Sequence, residues 1–204
     1  VDSDFCGHYD NGINPDYYVV RICPSCGFAS TENGLDKLSD LQKNNYYERI
    51  GNTWRGQSFS GERTAEQAMG SYKLGLLTAQ VTGAKDRVVA GLLHHIAWLY
   101  RYEKNEVEEQ RFLKFALDAY IRVFETEGVS VNNAKLMYLI GELNRRTGEL
   151  NEAVKWFSRV VNDKKIMDAA MIRASREQWQ LIRQEAEDKR MGQAESASQG
   201  VGSV

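Results

Sequence analysis

Cys23-Pro24-Ser25-Cys26-Gly27 is the stretch of this sequence best equipped for chemistry. Two cysteines three positions apart can turn both thiolates toward one metal ion. The glycine after them tolerates the turn, and backbone N–H groups can face the sulfurs. The preceding run, Tyr17-Tyr18-Val19-Val20-Arg21-Ile22, favours β structure. The spacing therefore predicts a strand entering a zinc-ribbon or rubredoxin-type knuckle. Tetrahedral zinc takes four ligands, and Cys23 and Cys26 supply two. The missing pair has two candidate sources. Cys6 and His8 share one face of an extended segment and would complete a Cys₃His site. A second Cys-x-x-Cys before Val1 is the other. Read plainly, Cys6 is a small buried apolar side chain and His8 a surface polar one. Iron suits a four-cysteine site as zinc does. A thioredoxin-like redox pair would open a helix, whereas Gly27-Phe28-Ala29-Ser30 and Asn33-Gly34 look like a knuckle leaving into a loop.

Other reactive side chains form weaker patterns. His94 and His95 are neighbours on a helix and point about 100° apart, so they cannot act as an i, i+4 metal pair. One is expected to be buried and the other exposed. Asp2, Asp4, Asp10 and Asp16 make the first segment acidic and offer oxygen ligands of the type magnesium uses. Glu106, Glu108 and Glu109 suit the positive end of a helix. Arg101, Arg145, Arg146, Arg159 and Arg173 can line a concave surface that receives an acidic peptide terminus, or simply disperse over the surface. Trp54 and Phe59, in a glycine-containing loop, are expected to pack the metal segment against the first long helix; the alternative is an exposed ligand platform. No His-Glu-x-x-His, phosphate loop, Rossmann glycine pattern or nucleophile elbow is present in the sequence.

These residues need elements to position them, and the composition supplies a globular chain. Of 204 residues, 42% are hydrophobic and 26% charged, which excludes a disordered chain or a collagen-like fibre. No 18-residue apolar run marks a transmembrane helix. The 26 basic and 28 acidic residues leave a net charge of −2, against a nucleic-acid binder that works mainly by phosphate neutralisation. Three cysteines and no secretion signal point to the cytoplasm rather than a disulfide framework. Both prolines and all three cysteines fall in the first 26 residues, so two building plans meet in one chain. The first residue is Val1 rather than Met, which fits processing or trimming of a longer protein.

Periodicity predicts a weak helix over 35–50, an ordered loop over 51–61, and helices over 62–81, 86–103 and 106–125. The third of these strong helices is expected to turn Phe112, Phe115, Ala116, Ala119, Tyr120 and Val123 inward, with Glu127-Gly128 closing it. Two more helices, 134–146 and 149–161, form a hairpin. Met137, Ile140 and Gly141 take the large–large–small places of a tetratricopeptide first helix, Gly148 the turn, and Ala153, Phe157 and Val160 the second helix. Gly141 and Ala153 let the backbones approach while Phe157 fills the groove. A last helix over 166–190 caps the stack, and its Trp179 and Ile182 can serve a homodimer. The expected fold class is mainly α: tetratricopeptide-like hairpins behind a small Cys-x-x-Cys knuckle. Its divisions are a partial zinc-ribbon-like head (1–34), a linker helix and loop (35–61), the helical domain (62–190) and a disordered tail (191–204).

Several segments together carry a family likeness. Asp2-Ser3-Asp4-Phe5-Cys6, Gly12 to Tyr18 (GINPDYY) and Cys23 to Ala29 (CPSCGFA) lie in the head. Gly61-Glu62-Arg63-Thr64, Tyr72-Lys73-Leu74, Ala97 to Arg101 (AWLYR) and Trp156 to Val160 (WFSRV) lie in the helical part. Over residues 1–189 the chain resembles the bacterial domain of unknown function numbered 2225. The resemblance implies a cytoplasmic bacterial protein with a zinc-ribbon-like portion followed by tetratricopeptide-like helices. It also implies another Cys-x-x-Cys ahead of the Asp-x-Asp-Phe segment. That favours Cys23 and Cys26 as half of a four-cysteine site over completion by Cys6 and His8. Zn²⁺ is then expected in the full-length protein and can be missing from this fragment. No biochemical activity comes with the family. The functional expectation is a non-enzymatic scaffold or adaptor that binds a protein or peptide. The alternatives are an enzyme using the head–body junction as a pocket and a nucleic-acid-associated zinc ribbon.

Overall fold

The computed structural model describes residues 1–10, 12–34, 37–127 and 133–199, with side chains in the last helix up to Met191. Among the described residues the chain is mainly α-helical. It divides into two compact units, Val1–Gly128 and Val129–Val204.

The first unit begins with the head. Asn14 accepts the Asp16 N–H through its side chain, and Pro15 opens a 3₁₀ turn over Pro15–Tyr18. The β structure expected from Tyr17 onward is therefore confined to β1, Arg21–Ile22. It pairs antiparallel with β2, Ala29–Ser30, in the register Arg21↔Ser30 and Ile22↔Ala29. The knuckle is the connection between them. Helix α1, Asp40–Arg49, starts later than hydrophobicity suggested because Ser39 and Gln42 form a capping box there. Leu35 and Asp36, at the expected start, lie outside the described residues.

Thr64 and Gln67 form a second capping box, which opens α2, Ala65–Thr82; Gly83 ends it at φ +62. Helix α3, Asp86–Tyr102, packs against both α2 and α4, Glu106–Glu127. Its wide apolar stripe has a partner on each side, as the sequence required. Val20 and Ala29 of the head join Ala68, Tyr72, Ala79, Leu92, Ile96 and Leu99 in one core. In α4 the buried residues include Leu113, Ala116, Ala119, Tyr120 and Val123. Phe115 departs from expectation: it is 42% exposed, because Leu113 and Ala116 take the inward positions beside it. Gly128, the expected end, lies outside the described residues.

The second unit contains α5, Ala134–Arg146, α6, Leu150–Asn162, and α7, Ala169–Gln199. Gly148 makes the α5–α6 turn at φ +89. Gly141 is required by packing: a Cβ there would stand 2.8 Å from Phe157 Cε1. Ala153, Phe157 and Val160 are fully buried beside it. The backbone of residues 191–199 continues α7, where composition suggested a tail; residues 200–204 lie outside the described residues.

Candidate functional site

The knuckle is held from three directions. Cys23 N–H donates to Phe28 O at 2.8 Å, and Gly27 N–H donates to Cys23 O at 2.8 Å, closing the turn. Backbone N–H groups of Cys26 and then Ser25 hold the Cys23 thiol below its ordinary pKa. Gly27 has φ +74, and a Cβ on it would collide with the Trp54 ring. Trp54 Nε1 donates to Pro24 O at 3.0 Å. On the other side the buried Tyr46 of α1 donates its hydroxyl to Cys26 O at 2.8 Å, with Phe28 packed edge-on at 5.1 Å. Cys23 and Cys26 are both half-buried free thiols. They are the two thiols that the Cys-x-x-Cys spacing assigns to a metal site.

The structure does not bring Cys6 and His8 to that pair. Cys6 is fully buried, with its thiol 3.4 Å from the Tyr102 hydroxyl. Burial pushes its pKa up to about 11. His8 Nε2 lies 2.6 Å from Asp2 Oδ1. Among the described residues, no group of three or more His, Cys, Asp or Glu side chains is arranged to hold a metal ion. The donor set present fits a soft cation through two thiolates only.

Arg101, open in sequence to a receptor role or to dispersed surface charge, binds this chain's own acidic segment. Its Nη1 reaches Asp4 Oδ1 at 2.9 Å and its Nη2 reaches Asp4 Oδ2 at 2.7 Å, a bidentate pair with a fully buried carboxylate. Nη1 also reaches Asp2 Oδ2 at 2.7 Å, and Nε reaches Glu109 Oε1 at 2.7 Å. Trp98 Nε1 donates to Asp4 Oδ2 at 3.1 Å, and His94 Nε2 lies 3.4 Å from the same oxygen. Asp4 thus spends both oxygens on α3, and Asp2 divides its own between His8 and Arg101. Burial alone would favour a neutral arginine, but the Asp4 and Glu109 carboxylates outweigh it and raise the Arg101 pKa. Asp16 is mostly buried as well, accepting from Tyr102 at 2.8 Å, while Asp10 is exposed.

Sequence reasoning missed Arg63. Its Nη1 donates to the carbonyls of Tyr17 (2.8 Å) and Val20 (2.9 Å), and Nε donates to Phe59 O (3.0 Å). It stitches the head, the 51–61 loop and the start of α2 together. The available signal was its place in Gly61-Glu62-Arg63-Thr64. Phe59 is half-buried under this guanidinium, 5.9 Å from the ring centre. Trp54 and Phe59 are therefore packing residues here. In the second unit Arg145 and Arg146 both close on the buried Glu142, at 2.8 Å from its oxygens. Arg145 is thereby partly buried on its own helix.

The histidines also differ from expectation, since neither ring is exposed. His94 is 2% exposed, and His95 is half-buried between Tyr72, stacked at 5.6 Å, and Trp98 at 4.3 Å. His95 Nδ1 sits 2.8 Å from Gly91 O. A carbonyl only accepts, so Nδ1 carries the proton and Nε2 the lone pair. Burial holds the ring below its ordinary pKa, and so neutral.

The family model described as "Uncharacterized protein conserved in bacteria (DUF2225)" matches residues 1–182. No curated protein and no solved structure matches the chain.

Proposed function

The chain belongs to the DUF2225 family, and from that premise we propose a non-enzymatic protein-interaction scaffold with a metal-stabilised head on a tetratricopeptide-like helical body. The observation that carries this reading is an open apolar groove on the first unit. Leu76, Val89, Leu93 and the outward Phe115 line it, with Asp118 and Arg122 among its polar groups. Its volume is about 630 Å³ including the mouth. An exposed phenylalanine in a groove rimmed by charge is the ordinary chemistry of a peptide or helix receptor. The inward use of Asp4, Asp16, Arg63 and Arg101 supports the same reading, because these groups hold the head to the body. Support for the tetratricopeptide likeness comes from Gly141 beneath Phe157, the buried Ala153 and the Gly148 turn.

Zn²⁺ belongs to this proposal through Cys23 and Cys26, with two further ligands beyond the described residues. Bound there, the ion would cross-link the knuckle and add folding energy to the head. Elemental analysis of the full-length protein should find about one zinc per chain, lost in the Cys23→Ala/Cys26→Ala variant. Equal metal content in the two would overturn the assignment.

The partner claim is tested by photo-crosslinking in cells with Phe115→p-benzoylphenylalanine. The expected result is one discrete protein adduct, absent when the label replaces the exposed Val107. An adduct with a second copy would make the scaffold a homodimer. Crosslinks to nucleic acid alone, or none at all, would sink the reading. Among the described residues no helix is long and apolar enough to cross a membrane.

A further inference from the structure

Gly91 lies in the interior of α3, where glycine weakens a helix relative to alanine. No close packing explains it, because a Cβ there would meet nothing within 4 Å. The space in front of it is a hollow of about 300 Å³ including its mouth, lined in part by Thr31, Asn33, Tyr72, Arg87 and His95. His95 Nε2 is left as an acceptor, because the ring's only proton goes to Gly91 O. A second hollow of about 370 Å³ adjoins the first, sharing Thr31, Val88 and Leu92 in its wall. It is mostly apolar, formed by Phe28, Ala29, Ala79 and their neighbours, and Thr78 also lines it. The Thr78 hydroxyl is buried without a hydrogen-bond partner. An acceptor nitrogen and a helix glycine facing open space therefore line one hollow, and a buried hydroxyl without a partner belongs to a residue in the wall of the next, between β2, α2 and α3.

We propose that this crevice binds a small neutral amphipathic molecule, whose hydroxyl or carboxamide head donates a hydrogen bond to His95 Nε2. Its short aliphatic tail runs over Val88 and Leu92 toward Thr78. The chemistry of the lining selects this class. A carboxylate has no proton to give to a lone pair. An ammonium group would enter beside the Arg87 guanidinium. A neutral head with one donor and one acceptor suits His95 together with Thr31 and Asn33, while the inner hollow offers apolar burial to the tail.

Butyramide is the probe, titrated into the full chain carrying ¹⁵N-labelled histidine. Its addition should shift the His95 Nε2 resonance saturably, while butyrate and butylammonium leave it in place. Gly91→Ala should weaken the saturable shift and raise the melting temperature, since the methyl group projects into the hollow and alanine favours the helix. His95→Phe keeps the stack on Tyr72 and removes the acceptor; saturation-transfer measurements should then report affinity lower by about tenfold. An unmoved Nε2 resonance at saturating butyramide would overturn the site. Unchanged butyramide affinity in His95→Phe, or equal binding of butylammonium, would overturn the assigned chemistry.

Discussion

Asp4 shows how one buried carboxylate decides the role of its neighbours. It is fully buried, and its bidentate pair with Arg101 is joined by Trp98. Removing only the arginine would leave a charge in the core without its counter-ion. Arg101→Met should therefore cost about 3–5 kcal/mol in urea unfolding. Arg101→Met combined with Asp4→Leu should recover much of that loss, because the stranded charge goes with it. A double variant no better than the single would refute this account. Acid should weaken the same region in two stages. Burial lowers the His95 pKa from 6.5, so as pH falls below 6.5 the unfolded chain takes up that proton first and stability declines. Partial burial pushes the Asp2 carboxyl up, but His8 and Arg101 hold it below 3.8. Its contribution is present above pH 3.8 and is lost as pH falls further. Urea midpoints measured against pH should show both stages, with the upper one absent in His95→Phe.

Elements here are fixed to one another by side chains that end on backbone. Tyr46 of α1 and Trp54 bind the carbonyls of Cys26 and Pro24, so the knuckle is clamped even where no ion cross-links it. Alkylation of the metal-free chain should follow this geometry. Cys23 and Cys26 are expected to react with iodoacetamide in the native state, and the fully buried Cys6 only on unfolding. Mass spectrometry of the peptides distinguishes the order, and early labelling of Cys6 would contradict it. The capping box at Thr64 places the start of α2 directly after Arg63, which carries the head. Thr64→Ala should cost about 1 kcal/mol and loosen the Arg63 contacts, seen as faster amide exchange at the start of α2.

At the scale of the molecule, the chain divides into two compact units, and a defect within one should stay there. Gly141→Ala drives a methyl group to within 2.8 Å of the Phe157 ring and should cost the second unit about 1–3 kcal/mol. Hydrogen exchange should then accelerate across α5 to α7 and remain unchanged across α2 to α4; uniform acceleration would mean a single cooperative core. Most helices of both units were legible from their apolar periods, helped at α2 by a capping box and after α2 and α5 by glycine stops, and the Gly141–Phe157 contact could be read from the spacing of that hairpin alone. The knuckle turn was legible too, since Cys-x-x-Cys-Gly is a local pattern. What the sequence could not disclose was pairing across distance. Asp4 and Arg101 are 97 positions apart, and nothing in either neighbourhood marks the other as its partner. The acidic segment offered ligands for a cation, and Arg101 was open to a receptor role or to dispersed surface charge; the fold placed Arg101 against Asp2 and Asp4 and buried Asp4. Phe115 fell on the expected inward stripe, yet the neighbours of α4 left it at the edge of a groove. Local spacing determined which helices and turns form. Tertiary packing alone decided which charges are spent on holding the head and which surfaces stay open, because burial and ion pairing depend on what the rest of the chain brings alongside.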